Sequence, residues 1–225
     1  MFPAPALAGA GNWHRIWCGP MSEKSEGLPA AELQIIVGAG RFSRFSQLLQ
    51  QGIILWRETG CSLRSFLHDQ LRLSPRFVEE NIQTIFLDGK PVDDLDRVHV
   101  KEGCTLALSA AMPGLVGATM RRGGYYASLR AQISHGPEGE DASVAARGFV
   151  TLKLFNKVAD VLGKTFLQDS FCVKRKNLED FIRWSEPTEA IQASLEGKPF
   201  DLKAFRAGNS GDELIRLRIV SKPQE

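Results

Sequence analysis

Little in this chain singles out a chemistry by its presence, so the absences come first. Four cysteines, Cys18, Cys61, Cys104 and Cys172, lie far apart and form no C-x-x-C pair. That spacing excludes a sequence-local zinc or redox motif and reads as reduced, mostly buried thiols rather than a disulfide framework. The histidines, His14, His68, His99 and His135, are equally scattered, and no metal site is expected. Neither sign of charge dominates: 28 basic and 26 acidic residues leave a net charge of +2, which gives no general pull towards nucleic acid or anionic lipid. No run of about 18 apolar residues occurs, so no membrane span is expected. Nucleophile elbow, phosphate-binding glycine–lysine loop and dinucleotide fingerprint are all missing. The expectation is a non-enzymatic chain without a cofactor.

What remains is an ordinary globular composition, 43% hydrophobic and 24% charged over 225 residues, enough for one large domain or two small ones. The first twenty residues carry no basic start and no unbroken apolar core, so they do not read as a secretory signal. Met21 is an alternative start, residues 1–30 are expected to lie outside any folded unit, and the chain is expected in the cytoplasm.

From Leu33 the order of elements is informative. Leu33, Ile35 and Val37 alternate as a strand that ends at Gly38 and Gly40. Phe45, Leu48 and Leu49 recur at helical spacing up to Gly52, and GIILWRE reads as a second strand. Ser62 suits the cap of a helix with Leu63, Phe66, Leu67 and Leu71 on one face. Ser74-Pro75 starts a further turn, with proline at the first helical position. Ile82 to Leu87 is a strand turning at Asp88-Gly89, a pair that tolerates positive φ, and Pro91 confines the return strand to an edge. Thr105 to Ala110 closes the series.

A second series begins at Val150. VTLKLF alternates, Val158, Val161 and Leu162 follow at helical spacing, and Gly163 is expected to end that helix. KTFLQDSFCVK reads as a strand, and Asn177 is expected to cap a helix carrying Leu178, Phe181 and Ile182. ASLEGKPFD then matches IFLDGKPVD, and Ile215, Leu217 and Ile219 alternate with Arg216 and Arg218. Six elements thus recur in one order, and the chain reads as a tandem duplication of units of roughly 70–80 residues each. The organisation that follows is a leader (1–30), a first domain (31–111), a Gly-rich arm and acidic linker (112–148), and a second domain (149–221).

The order of strand, short helix, strand, helix, hairpin and closing strand resembles the β-grasp fold. LKLFNKVADVLGK at 152–164 is similar to the start of the ubiquitin-like sulfur carriers, the molybdopterin synthase small subunit and its thiamine relative. VKEGCTLALSAAMPGLVGA at 100–118 is similar to their closing strand and tail. The resemblance implies an α+β protein of two tandem β-grasp domains, each a mixed sheet wrapped on one main helix. It also implies where a carrier's chemistry would sit: a terminal diglycine whose carboxylate is adenylated by a partner enzyme. By position that pair falls on Gly117 and Ala118, a departure from the pattern. A true diglycine follows at Gly123-Gly124 after Arg121-Arg122, and it too is internal.

The stretch 112–130 has no helical or strand period and is the expected interaction arm, with Pro113, Gly114, Gly117, Arg121, Arg122, Gly123, Gly124, Tyr125 and Tyr126 as its site residues. Three readings stay open. The favoured one is a non-catalytic module that binds a partner protein through the arm, arginine and tyrosine being rich in interface energy. The second is a carrier activated by cleavage after Gly124. The third is a small-ligand or single-stranded nucleic-acid module using Arg121, Arg122, Arg130 and the tyrosines. A plainer role also fits the same residues, a linker whose glycines let it bend while Met120, Tyr125, Tyr126 and Leu129 cover apolar surface. Asp93, Asp94 and Asp96 lack the remaining ligands of a calcium loop and read as a solvated acidic turn.

Overall fold

The Asp88-Gly89 turn forms as expected, with φ of 49° and 77° at its two central residues, and Glu196-Gly197 repeats it at 49° and 78°. Two successive positive φ values are what a two-residue hairpin needs to follow strand twist. Each turn joins a strand to a two-residue Lys-Pro strand: β3 (Thr84–Leu87) to β4 (Lys90–Pro91), and β8 (Gln192–Leu195) to β9 (Lys198–Pro199). In this computed structural model, which describes residues 29, 31–38, 41–130, 133–134, 146–184, 192–202 and 213–222, β4 and β9 are the two edges of a single sheet. The leader before residue 29 and the acidic segment 135–145 lie outside the described residues. Proline cannot donate to a further strand, and both exposed edges are therefore blunted.

The protein is mixed α+β, built on one mixed sheet of ten strands in the order β4-β3-β5-β6-β2-β7-β10-β1-β8-β9. The remaining strands are β1 (Glu32–Val37), β2 (Ile53–Thr59), β5 (Thr105–Ser109), β6 (Ala146–Phe155), β7 (Phe171–Lys174) and β10 (Leu214–Ser221). The two series of elements do not keep their strands to themselves. β6, which opens the second series, lies between β5 and β2 of the first, parallel to one and antiparallel to the other. Leu152 faces Leu106 on one side and Ile53 on the other. β1, which opens the first series, lies between β10 and β8 of the second, with Ile35 opposite Ile219 and Ala193. A single β2–β7 pair, Ile54 with Cys172, joins the halves at the centre. The exchange is not symmetric. Third from its edge stands β5, a closing strand, in one half and β1, an opening strand, in the other.

The helices form where the capping chemistry places them. Ser62 Oγ accepts from the Ser65 N–H at the start of α2, an α turn (Leu63–Ser65) that widens into π-type turns (Phe66–Gln70) closed by Leu71 N–H to Phe66 O. Ser74 Oγ accepts from Phe77 N–H ahead of α3 (Pro75–Asn81), whose first residue is the proline. α1 (Ser46–Gln51) follows a 3-10 turn in which Phe45 is buried and stacks on Phe181, ring centroids 4.8 Å apart. One continuous core results, running from Leu33 to Ile219.

Two expectations need correction in the second series. The helix after β6 (Asn156–Gln168) does not stop at Gly163 but runs on to Gln168, so the strand expected from Lys164 is confined to Phe171–Lys174. Gly163 serves packing rather than termination: a Cβ there would lie 2.5 Å from Leu49 Cδ1, so its absence lets this helix close on α1. The next helix (Arg175–Trp184) starts before Asn177. Arg175 anchors its first turn instead, donating its N–H to Glu213 O and its guanidinium to Glu179 and Glu213. The Glu213 carbonyl takes a backbone N–H of the first turn, and the ion pairs hold the two segments together there.

Candidate functional site

Between β5 and β6 the arm is more ordered than its irregular sequence predicts. Pro113 precedes a short helix, α4 (Gly114–Met120), and Gly114 takes φ of 77° to enter it. Gly117 is buried because the helix seats directly on the incoming chain; a Cβ there would clash with the Met112 carbonyl oxygen. A turn follows, with Gly123 at φ of 61° and the Gly124 N–H donating to Arg121 O. Tyr125–Arg130 then forms a 3-10 helix whose first bond runs from Ala127 N–H to Gly124 O. Neither element shows an apolar period, because neither is held by an apolar face.

What holds them is Arg130. Its side chain is only 2% exposed, and all five of its N–H groups have acceptors. Asp93 takes two of them in a fork, Nη1 to Oδ2 at 2.9 Å and Nη2 to Oδ1 at 2.7 Å. The carbonyls of Thr119 and Arg121 take one each, at 2.6 and 3.2 Å, and Ser134 Oγ takes the fifth at 2.6 Å. A buried guanidinium is tolerable only when its donors are matched in this way. Asp93 Oδ1 also accepts from Gly123 N–H, tying the diglycine turn to the same carboxylate. Arg122 adds a second anchor, its N–H to Gln83 O at 2.7 Å and its Nη2 to Glu79 at 3.0 Å.

The expected site residues therefore divide. Arg122 and Gly117 face inward, and Gly123 and Gly124 form a bonded turn. Arg121 is exposed, Tyr125 is 90% exposed, and Tyr126 stands edge-on to it with centroids 5.2 Å apart. Beside them Leu115 and Leu129 are 70% and 73% exposed, with Val116 and Ile133 also open to solvent. Tyr125 and Leu129 do not cover apolar surface; they present it. Large apolar side chains left exposed within one short stretch are a feature of contact surfaces. No family model, curated protein or solved structure matches this chain. The site is therefore read from its own geometry.

Other polar clusters are internally satisfied. Asp94 Oδ1 accepts from the N–H groups of Asp96 and Arg97, and Asp96 pairs with Arg64, whose hydrogen bond holds the Asp96 carboxyl below its ordinary range. Burial pushes the Cys104 thiol up to about 12 and Cys172 up to about 11, and Cys61 is raised by the same cause. All three are thiols at neutral pH, and the thiolate is the reactive form. Among the described residues no helix is long and apolar enough to cross a membrane.

Proposed function

We propose that this chain is a non-catalytic, ubiquitin-like module of two β-grasp units, interleaved by the exchange of β1 and β6, that binds a partner protein through the arm at 112–130. The observation that carries the reading is the inversion of the arm's chemistry. Its charged and polar groups, Arg130 and Arg122 above all, are turned inward to fix the backbone, while Leu115, Tyr125 and Leu129 are turned out. A linker that merely spanned two units would do the reverse. Support for β-grasp units comes from the half-sheets, each five strands with one parallel pair flanked by antiparallel ones. The diglycine supports the non-carrier reading, since it is bent and bonded where a threading tail must be extended, and Tyr125 stands where a carboxylate would be needed.

A photo-reactive phenylalanine analogue at Tyr125, expressed in the native host, tests this. A discrete adduct is expected, lost on replacing Tyr126 and Leu129 with alanine and absent with the probe at exposed Arg76. Those alanine changes should cost about 2 kcal/mol of binding and leave folding stability within about 0.5 kcal/mol. No arm-specific adduct, or one indifferent to Tyr126 and Leu129, contradicts the reading.

A further inference from the structure

Beneath α4 lies a second feature that the partner-binding reading does not use. Leu106, Leu108, Leu152 and Leu154 are buried in the core, so their alternating neighbours on β5 and β6 face the other side of the sheet. There Phe86, Ala107 and Lys153 form one row across three strands, Phe86 opposite Ala107 and Ala107 opposite Lys153. With strands about 4.8 Å apart, a methyl between a ring and a long side chain leaves a trough. Val116 and Pro113 of the arm line its rim, and the groove, open on one side, measures about 660 Å³, within the range of small-ligand sites.

Two further observations bear on what fits. Lys153 is the one charged residue lining the groove and makes no ion pair among the described residues. Its stem lies along Gly52 on the β2 side, where a Cβ would come within 3.4 Å of Cγ and Cε, so the ammonium stands at the groove's margin rather than over Ala107. At the groove's end Asn156 is held at φ of 53°, its amide donating to Ser109 Oγ at 3.0 Å. A left-handed non-glycine residue is a strain that local structure must sustain. An apolar trough with one half-buried cation and a fixed amide is complementary to an apolar chain ending in an anion. We propose that this groove binds an amphipathic carboxylate, its chain over Ala107 and beside Val116, its carboxylate reaching Lys153 Nζ at the groove's margin.

The test is a titration of the whole chain with sodium dodecanoate below its micelle point, followed by amide NMR shifts and calorimetry. Butanoate and dodecyltrimethylammonium are the chain-shortened and charge-reversed probes. Saturable dodecanoate binding is expected, with shifts at 105–117 and 153–156, no saturation by butanoate, and the cation weaker by about tenfold. Lys153→Met should weaken dodecanoate by about tenfold and erase the preference for the anion. Ala107→Leu should abolish binding by filling the trough. Tyr125→Ala should leave it unchanged, which separates this site from the partner surface. Absence of saturation, equal affinity for the cation, or a Lys153→Met variant that binds as before would each overturn the proposal. A groove shaped only for a partner's side chain would give the first of these.

Discussion

Cut between Ser134 and Ala146 and expressed as two chains, the protein is expected to lose cooperative folding in each piece and to recover it on mixing. The reason is the strand exchange. The first piece would keep β2 and β5 but lack β6, which stands between them, and its β1 would have neither β10 nor β8 to pair with. Val150, Leu152 and Leu154 of β6 are fully buried, and their burial alone is worth about 5–9 kcal/mol. That is of the order of a whole domain's net stability, about 5–15 kcal/mol. The second piece would lose β1 with Leu33, Ile35 and Val37, all buried. Near-ultraviolet circular dichroism and amide NMR of each piece, alone and mixed, check this. A dispersed spectrum with a cooperative transition in either piece alone contradicts it.

The second large effect is expected at Asp93. Asp93→Ala removes both arms of the fork to Arg130 and the acceptor for Gly123 N–H, and leaves a buried guanidinium without its counter-charge. Removing one partner of a buried pair costs about 3–5 kcal/mol, and because Asp93 is itself partly exposed the lower end applies. The loss should be local, since the arm is joined to the sheet by polar contacts and not by core side chains. Hydrogen exchange should accelerate across 114–130 while the amides of β5 and β6 stay protected. Adding Arg130→Met should restore part of the loss, because no charge is then left buried. Asp94→Ala, which removes two exposed turn bonds and an exposed ion pair to Arg97, is the comparison and should leave the arm protected. Equal exchange in the Asp93 and Asp94 variants would show that the fork does not hold the arm.

Local signals were legible in the sequence, and long-range ones were not. Ser62, Ser74-Pro75, Asp88-Gly89 and the repeated Gly-Lys-Pro each act within four residues, and each does what its chemistry predicts. The alternation at Leu33, Ile35 and Val37 marked a strand correctly but said nothing about its partners, because a period of two is satisfied beside any suitable strand. Hence the exchange of β1 and β6 had no local sign. Gly163 misled for a related reason: glycine ends helices and also admits close neighbours, and only the position of Leu49 decides between the two. The arm was located by its glycines and tyrosines, yet its helices were hidden because Arg130 and Asp93, 37 residues apart, hold them in place of an apolar stripe. Leu115 and Val116 carry no signal in the sequence, where they are ordinary apolar residues. Their significance lies in being exposed, which composition does not record.

The proposed partner surface requires the arm to stay fixed and uncut within one body. Severing the chain after Gly124 would detach Arg130 from the turn it organises, and would release a segment lacking the β6 strand that completes its sheet. The most direct measurement is the intact mass of the protein taken from its native cells. The account predicts chains that run through Gly124-Tyr125, with no species ending at that glycine. A species ending at Gly124, above all one with the mass of a thiocarboxylate, would contradict it and establish the carrier instead.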